Sequence, residues 1–293
     1  MDLIRPIAVS AGMVTTNAVD ADPQWVAGTT YAAGAKVTRE RRIWISLQAG
    51  NVGHTPGAAG AEAWWSDAGS ANSWAMFDDK VQTVTQRDAS LSVTVQPIGA
   101  QVVALLNVRG MRARVQSSFN GAAVFDKTIS LWDTSVIANW GDFYFNEPEF
   151  RSEAVFVDLP PVIGQVVTIT VEAPGGTAQL GMVVMGKPLN VGLEKVGLQR
   201  SGIDYSQATF DQFGEASITK RAYARKVSTQ TLIENKDLDR ITRRLDQLAS
   251  VPVLVLSGSG RFGSTVVFGL VSYTVDVAMY AYSYVSIDVK GLI

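Results

Sequence analysis

The sequence predicts a mainly β protein. It has a small tryptophan-rich β module, an antiparallel β-sandwich of jelly-roll type, and a C-terminal α+β region with one amphipathic helix. Three observations lead there. Short alternating or continuously apolar segments recur along the chain, separated by Gly, Pro and Asn-Gly turn signals. Apolar residues at sustained helical spacing occur in one stretch, about 236–249. Four of the seven tryptophans fall between Asp22 and Asp67, a segment without the aliphatic runs that build an ordinary core.

Composition narrows the function classes. A chain of 293 residues with 47% hydrophobic and 18% charged residues can bury a sizeable core in two or three domains. Its net charge of −2 offers no basic surplus for counterion release, which argues against nucleic acid as a partner. Cysteine is absent and histidine occurs once, so disulfides, thiolate chemistry and the usual zinc sites are excluded, and no cofactor is expected. No apolar run approaches the ~18 residues of a spanning helix, so no membrane insertion is expected. Met1-Asp-Leu-Ile-Arg-Pro lacks the pattern of a signal peptide, which implies synthesis in the cytoplasm.

Residues 1–21 alternate weakly through Leu3, Ile4, Ile7, Val9 and Val14 and are interrupted by Pro6 and Gly12. They read as an N-terminal arm, with one edge strand at most. Residues 22–70 form the tryptophan-rich module. Lys36-Val-Thr-Arg and Arg42-Ile-Trp-Ile-Ser-Leu read as two short strands around a polar turn, Ala49 to Ala61 as a Gly/Pro loop, and Gly69 to Asn72 as a linker.

The spacing Tyr31, Gly34, Val37, Trp44, Pro56 and Trp64 resembles the small chitin-binding-type carbohydrate-binding modules of chitinases and cellulases. The resemblance implies sugar binding by flat aromatic faces, with Trp25, Tyr31, Trp44, Trp64 and Trp65 as the candidate site. The sequence departs from that pattern at Gln48 and Ala49, where those modules carry their stacking aromatics. Trp25 and Trp65 are the substitutes it offers. The module is therefore either a working lectin-like unit or a compact peripheral knob.

Residues 73–190 read as the sandwich. Ser90 to Val95 alternates strictly, Val102 to Val108 is apolar enough for burial on both faces, and Arg112 to Gln116, Ala154 to Val157, Val166 to Val171 and Ala178 to Met185 supply further strands. Turns are expected at Pro97-Ile-Gly, Asn120-Gly, Pro160-Pro and Pro174-Gly-Gly. One long connection, Leu131 to Arg151, carries Trp132, Trp140, Phe143, Tyr144, Phe145 and Phe150. Such aromatics make a ligand site, cap the sandwich or form a subunit contact, and the last two readings are favoured.

Residues 191–293 read as the C-terminal α+β region. Phe213 to Val227 is a β ribbon with the basic cluster Lys220, Arg221, Arg225 and Lys226, whose complement is an acidic patch on a neighbouring subunit. Asn235 is placed as the helix N-cap, Asp237 and Asp239 in its first turn, and Leu238, Ile241, Leu245 and Leu248 along one face. Val253 to Leu256, Val266 to Val277 and Val285 to Lys290 follow as strands, with a hairpin turn at Ser257 to Gly263. Tyr282 and Tyr284 suggest a bulge or register change.

The order of these blocks carries a second resemblance. Trp74-Ala-Met-Phe-Asp, Asp204-Tyr-Ser, Thr219-Lys-Arg, and Val267-Phe-Gly-Leu-Val through Ser286-Ile-Asp-Val-Lys-Gly-Leu-Ile are together similar to minor tail or baseplate (tail-tip) proteins of tailed bacteriophages. It implies a structural virion protein of the tail, made in the host cytoplasm. Such a protein self-associates in a ring or collar, contacts other phage tail-tip proteins and attaches to host cell-surface polysaccharide, without enzymatic activity. The rival reading is a lectin-like accessory protein of a polysaccharide-degrading system. No catalytic residues are assigned. His54 sits in a Gly/Pro loop, poorly placed for a triad, and Asp78/Asp79 and Glu147/Glu149 read as solvated faces.

Overall fold

The computed structural model describes residues 1–292 except 97–98, 135–136, 138, 146, 148, 196, 211, 258–264 and 278–279. The chain is mainly β, and its strands pair antiparallel. β1 (Asp2–Pro6) and β2 (Val14–Thr16) open it. β3 (Lys36–Arg39), β4 (Arg42–Ser46) and β5 (Trp65–Ser70) make a separate three-stranded sheet, the tryptophan-rich module. The sandwich follows with β6 (Thr85–Val95), β7 (Val102–Arg109), β8 (Arg112–Phe119), β9 (Ala122–Ser130), the short helix α1 (Trp140–Phe145), β10 (Glu153–Phe156) and the long β11 (Val166–Asn190).

Alternation places Leu91, Val93 and Val95 of β6 against Val115 of β8, Leu105 of β7, Phe156 of β10 and Val167, Ile169 and Val171 of β11. Each such side chain contributes roughly 1.5–3 kcal/mol by leaving water. β7 is buried on both faces, as its continuous apolar run predicts: Val103 and Leu105 lie in the sandwich core, and Val102, Ala104 and Leu106 lie in the cluster that holds Ile4, Met182 and Leu254 on the other face.

Pro174-Gly-Gly does not end a strand. β11 continues through it as a bulge: β6 pairs Ala89 with Ala173 and then Asp88 with Thr177. β7 and β8 lie end to end along the other edge of β11, opposite residues 179–186 and 166–172. At their junction a Cβ on Gly110 would stand 2.8 Å from the Glu172 carbonyl oxygen. Glycine there lets the Met111 amide donate to that oxygen at 2.7 Å. The Asn120-Gly turn between β8 and β9 forms as expected, with φ of 49° and 79°.

The N-terminal segment corrects the edge-strand expectation. β1 is bonded on one side to β11 and on the other to β17 (Val253–Leu256). Pro6 is tolerated because it ends the strand. Leu3 and Ile4, on opposite faces, are both fully buried. Leu3 lies in the C-terminal core and Ile4 in the seam formed by Val102, Ala104, Met182 and Leu254. The Gly69–Asn72 linker is likewise a structured element: β5 pairs with β4, and the Asn72 side-chain amide donates to the Val19 and Gln86 carbonyls at 2.9 and 3.0 Å.

The C-terminal region adds β12 (Leu193–Glu194), β13 (Gln199–Asp204), β14 (Gln207–Phe210), β15 (Ala216–Thr219), β16 (Tyr223–Glu234), α2 (Asn235–Asp246), then β17, β18 (Val267–Asp276) and β19 (Tyr282–Gly291). The sheet runs β10-β7-β11-β1-β17-β18-β19-β16-β12, so β1 joins the sandwich to the C-terminal strands. α2 buries Ile241 and Leu245 on the face its spacing predicts, with Leu238 packed beside them; the helix ends at Asp246, short of the 249 expected, and Leu248 is buried from the turn that follows. Asn235 is the first helical residue and not the cap; its side chain donates to the Tyr280 carbonyl at 2.8 Å, fixing the helix start to the β18–β19 connection. β19 keeps an unbroken register through Tyr282 and Tyr284, because both rings sit on its outer face while Ser283 and Val285 point inward. Most of the turn expected at 257–263 lies outside the described residues.

Candidate functional site

The module folds around a miniature core. Glu40 and Arg41, with φ of 52° and 65°, make the tight turn from β3 to β4. Val37, Ala61 and Trp65 are buried, and Trp25, Tyr31, Trp44 and Trp64 pack around them. All five aromatics singled out from the sequence therefore meet in one cluster, but in different roles.

Trp65 is 3% exposed, its indole N–H donates to the His54 carbonyl at 2.8 Å, and the Tyr31 ring meets it edge-on at 5.3 Å. Trp65 is thus a core residue and not a stacking platform. The Tyr31 hydroxyl accepts from the Val26 amide at 2.8 Å and holds the loop before β3. Trp44 lies over Gly57, where an added Cβ would stand 3.0 Å from its ring. Asn51, fully buried, donates to Ser46 Oγ at 3.0 Å and to the Trp64 carbonyl at 3.3 Å.

Trp25, Trp44 and Trp64 are half-exposed, and Trp25 and Trp64 each carry a side chain against the ring. The Arg39 guanidinium lies 5.5 Å from the Trp25 ring centroid. The His54 imidazole stacks on Trp64 at 3.9 Å with an 11° interplanar angle, covering one face. Trp25 and Trp64 thus each have one flank occupied by a side chain that holds the ring in place, the preorganisation a sugar-stacking surface needs. Gln48, at the position of a stacking aromatic, donates to the Ala63 carbonyl at 2.8 Å and ties the loop to the start of β5. Asp67 pairs with Arg42. Burial works to raise the Asp67 carboxyl, but the hydrogen bonds from Arg42 and the Gly69 amide and the charges of Arg42 and Lys80 outweigh it and hold the group below the usual carboxylate range.

The module is fastened to the sandwich. Arg41 lies 4.1 Å over the Trp74 ring and donates to the Ala11 carbonyl at 2.6 Å, while Asp20 accepts from the Ser73 amide and hydroxyl at 2.7 and 2.9 Å.

Two further surfaces stand out. In the 131–151 connection, Trp132 and Phe150 form an isolated bridge, and α1 projects Trp140, Tyr144 and Phe145 into solvent. The rings do not cap the sandwich; they pack on one another, Phe143 edge-on to Tyr144 at 5.3 Å and Trp140 stacked on Tyr144 at 6.3 Å. The second surface is the hairpin β14–β15, every strand residue of which is exposed, including Phe210 and Ile218. The basic cluster is divided: Arg225 pairs with Glu153 and Lys226 with Asp288, while Lys220 and Arg221 sit at the foot of the hairpin.

No family model and no curated protein matches the chain. Among solved structures, CBM32-1 from a family 31 glycoside hydrolase of Clostridium perfringens is similar at 15% identity and a TM-score of 0.26, over 61% of this chain and 97% of that one. A likeness of that size says nothing about what this chain binds.

Among the described residues no group of three or more His, Cys, Asp or Glu is placed to hold a metal, and no helix is long and apolar enough to cross a membrane. The residues that sequence reasoning missed are His54 and Arg39, which support Trp64 and Trp25. Neither stands at a telling spacing. His54 is eleven residues from Trp65 and ten from Trp64 in a loop, so only the folded loop brings its ring to Trp64.

Proposed function

We propose that the chain is a structural subunit of a bacteriophage tail tip or baseplate. In this reading it resides in the virion tail, self-associates in a ring or collar, contacts other tail-tip proteins and has no enzymatic activity of its own. It carries the module outward, with Trp25 and Trp64 toward host-surface polysaccharide. The observation that carries the reading is the β14–β15 hairpin. A two-stranded hairpin alone in water is marginal, and this one leaves Phe210 and Ile218 exposed. Covering by another chain is what stabilises such an element. The order of sequence blocks supplies the virion context. The experiment is electron microscopy of virions labelled with antibody against the chain. Label confined to the tail tip is expected, and unlabelled virions from a preparation that expresses the chain would end the reading.

A lectin-like accessory protein of a polysaccharide-degrading system is the second reading, favoured by the two braced indoles of the module. Polysaccharide retention by a chain that remains monomeric and separate from virions would favour it instead.

A further inference from the structure

We propose that the β14–β15 hairpin of one copy seats on the α1 aromatic surface of the next, so that two different surfaces of the chain form one head-to-tail contact. The inference rests on the self-associating role proposed above and names its interface. Both surfaces are apolar and open to solvent in the same chain. Trp140, Tyr144 and Phe145 are 76%, 71% and 89% exposed, and Phe210, Phe213 and Ile218 are 71%, 82% and 65% exposed. Aromatic anchors of this kind are what interface cores are made from.

Charge selects the pairing. Glu147 and Glu149 follow α1 and are exposed, the nearby Arg151 is paired with Asp133, and Arg109 lies on the far side of Phe150, so the stretch directly after α1 is acidic. Lys220 and Arg221 follow β15 and are exposed, with Arg221 reaching the neutral Gln207 side chain at 3.4 Å. Of the acids near the hairpin, Asp204 accepts from the Ser206 amide at 2.8 Å, and Glu215 precedes β15, at the end away from Lys220. The hairpin foot is therefore basic where the α1 rim is acidic. Two α1 surfaces brought face to face would set carboxylates against carboxylates, which disfavours an isologous dimer. A head-to-tail contact between different surfaces repeats from copy to copy, and closes into a ring when its rotation permits. The aromatic segment and the basic cluster, separate puzzles in the sequence, become the two sides of one joint.

The test uses the full chain and its mass by sedimentation velocity. Lys220→Glu with Arg221→Glu, and separately Glu147→Lys with Glu149→Lys, are each expected to weaken self-association by about 100-fold or more, since like charges then face each other. A chain carrying both pairs of reversals is expected to regain the wild-type assembly, because each reversed surface then meets a reversed partner whatever the number of copies. Phe210→Ser with Ile218→Ser changes no charge and is expected to dissociate the assembly as well. All these side chains are exposed, so the far-UV circular dichroism of each variant should match the wild type. Variants that assemble like the wild type, or a chain with both pairs of reversals that stays dissociated, would overturn this joint while leaving self-association standing. A wild-type chain that is monomeric at every concentration overturns the joint and the assembly role together.

Discussion

Leu3→Ala tests the claim that the first six residues lock the two halves of the sheet together. Leu3 is fully buried in the C-terminal core, on a strand bonded on both sides. The substitution removes three carbons, worth about 0.8 kcal/mol each in transfer. The flanking strands β11 and β17 are held in register by β1 itself, so the site collapses poorly and a cavity cost adds to the transfer cost. The sum is about 3 kcal/mol, inside the usual range of 2–5 for such changes. The assay is the urea midpoint of the full chain, with Leu193→Ala as control, because Leu193 is 75% exposed. The control should move by less than about 0.5 kcal/mol. A Leu3→Ala loss below about 1 kcal/mol, the size expected for a loosely attached arm, would refute the reasoning.

Other outcomes follow from the same structure. Gly186→Ala should cost about 1–3 kcal/mol or more and loosen β1, because its Cβ would stand 2.4 Å from the Arg5 carbonyl oxygen and 2.5 Å from Ile4; hydrogen exchange of residues 2–6 reads the loosening. Trp65→Ala should cost about 3–5 kcal/mol and raise exchange across β3–β5 while the sandwich stays protected. Trp64→Ala should leave the melting temperature within a few degrees and abolish retention of the full chain in polysaccharide-containing affinity gels; unchanged retention would reduce the module to a knob. The Tyr273 hydroxyl donates to Asp246, and that hydrogen bond, with burial and the carboxylate charge, raises the phenol above its usual value. A raised group stabilises fully below its unfolded pKa of about 10 and loses that contribution as pH rises through the folded value. Tyr273→Phe should therefore lower the melting temperature at pH 8, and the gap to wild type should close as pH passes 10; a gap that stays constant to pH 11 would contradict the assignment.

The strands and the helix were legible because burial writes itself into the sequence as alternation or helical spacing. β6, β7, β19 and the Ile241–Leu245 face of α2 follow from that alone. What the sequence concealed was pairing. β1 looks like an arm because six residues with a terminal proline carry little signal, and its centrality comes from partners 180 residues and more away. Pro174-Gly-Gly looks like a turn because the same residues serve turns and bulges, and only the continued ladder with β6 decides between them. In the module, aromatic content predicted one cluster correctly. Composition could not say which indole would be buried: Trp65 opens β5 and points inward, while Trp64, in the turn just before it, remains half-exposed. The ribbon expected at 213–227 is divided: Ala216–Thr219 pairs back with Gln207–Phe210 in the exposed hairpin, while Tyr223 onward belongs to β16 in the main sheet, a partition that only pairing decides.

The central claim is that this chain assembles with copies of itself, and its mass in solution tests that most directly. Sedimentation equilibrium of the purified full chain over a wide concentration range should give a closed multimer of fixed stoichiometry. A single species of 31.4 kDa, the mass of one chain, throughout that range would contradict it.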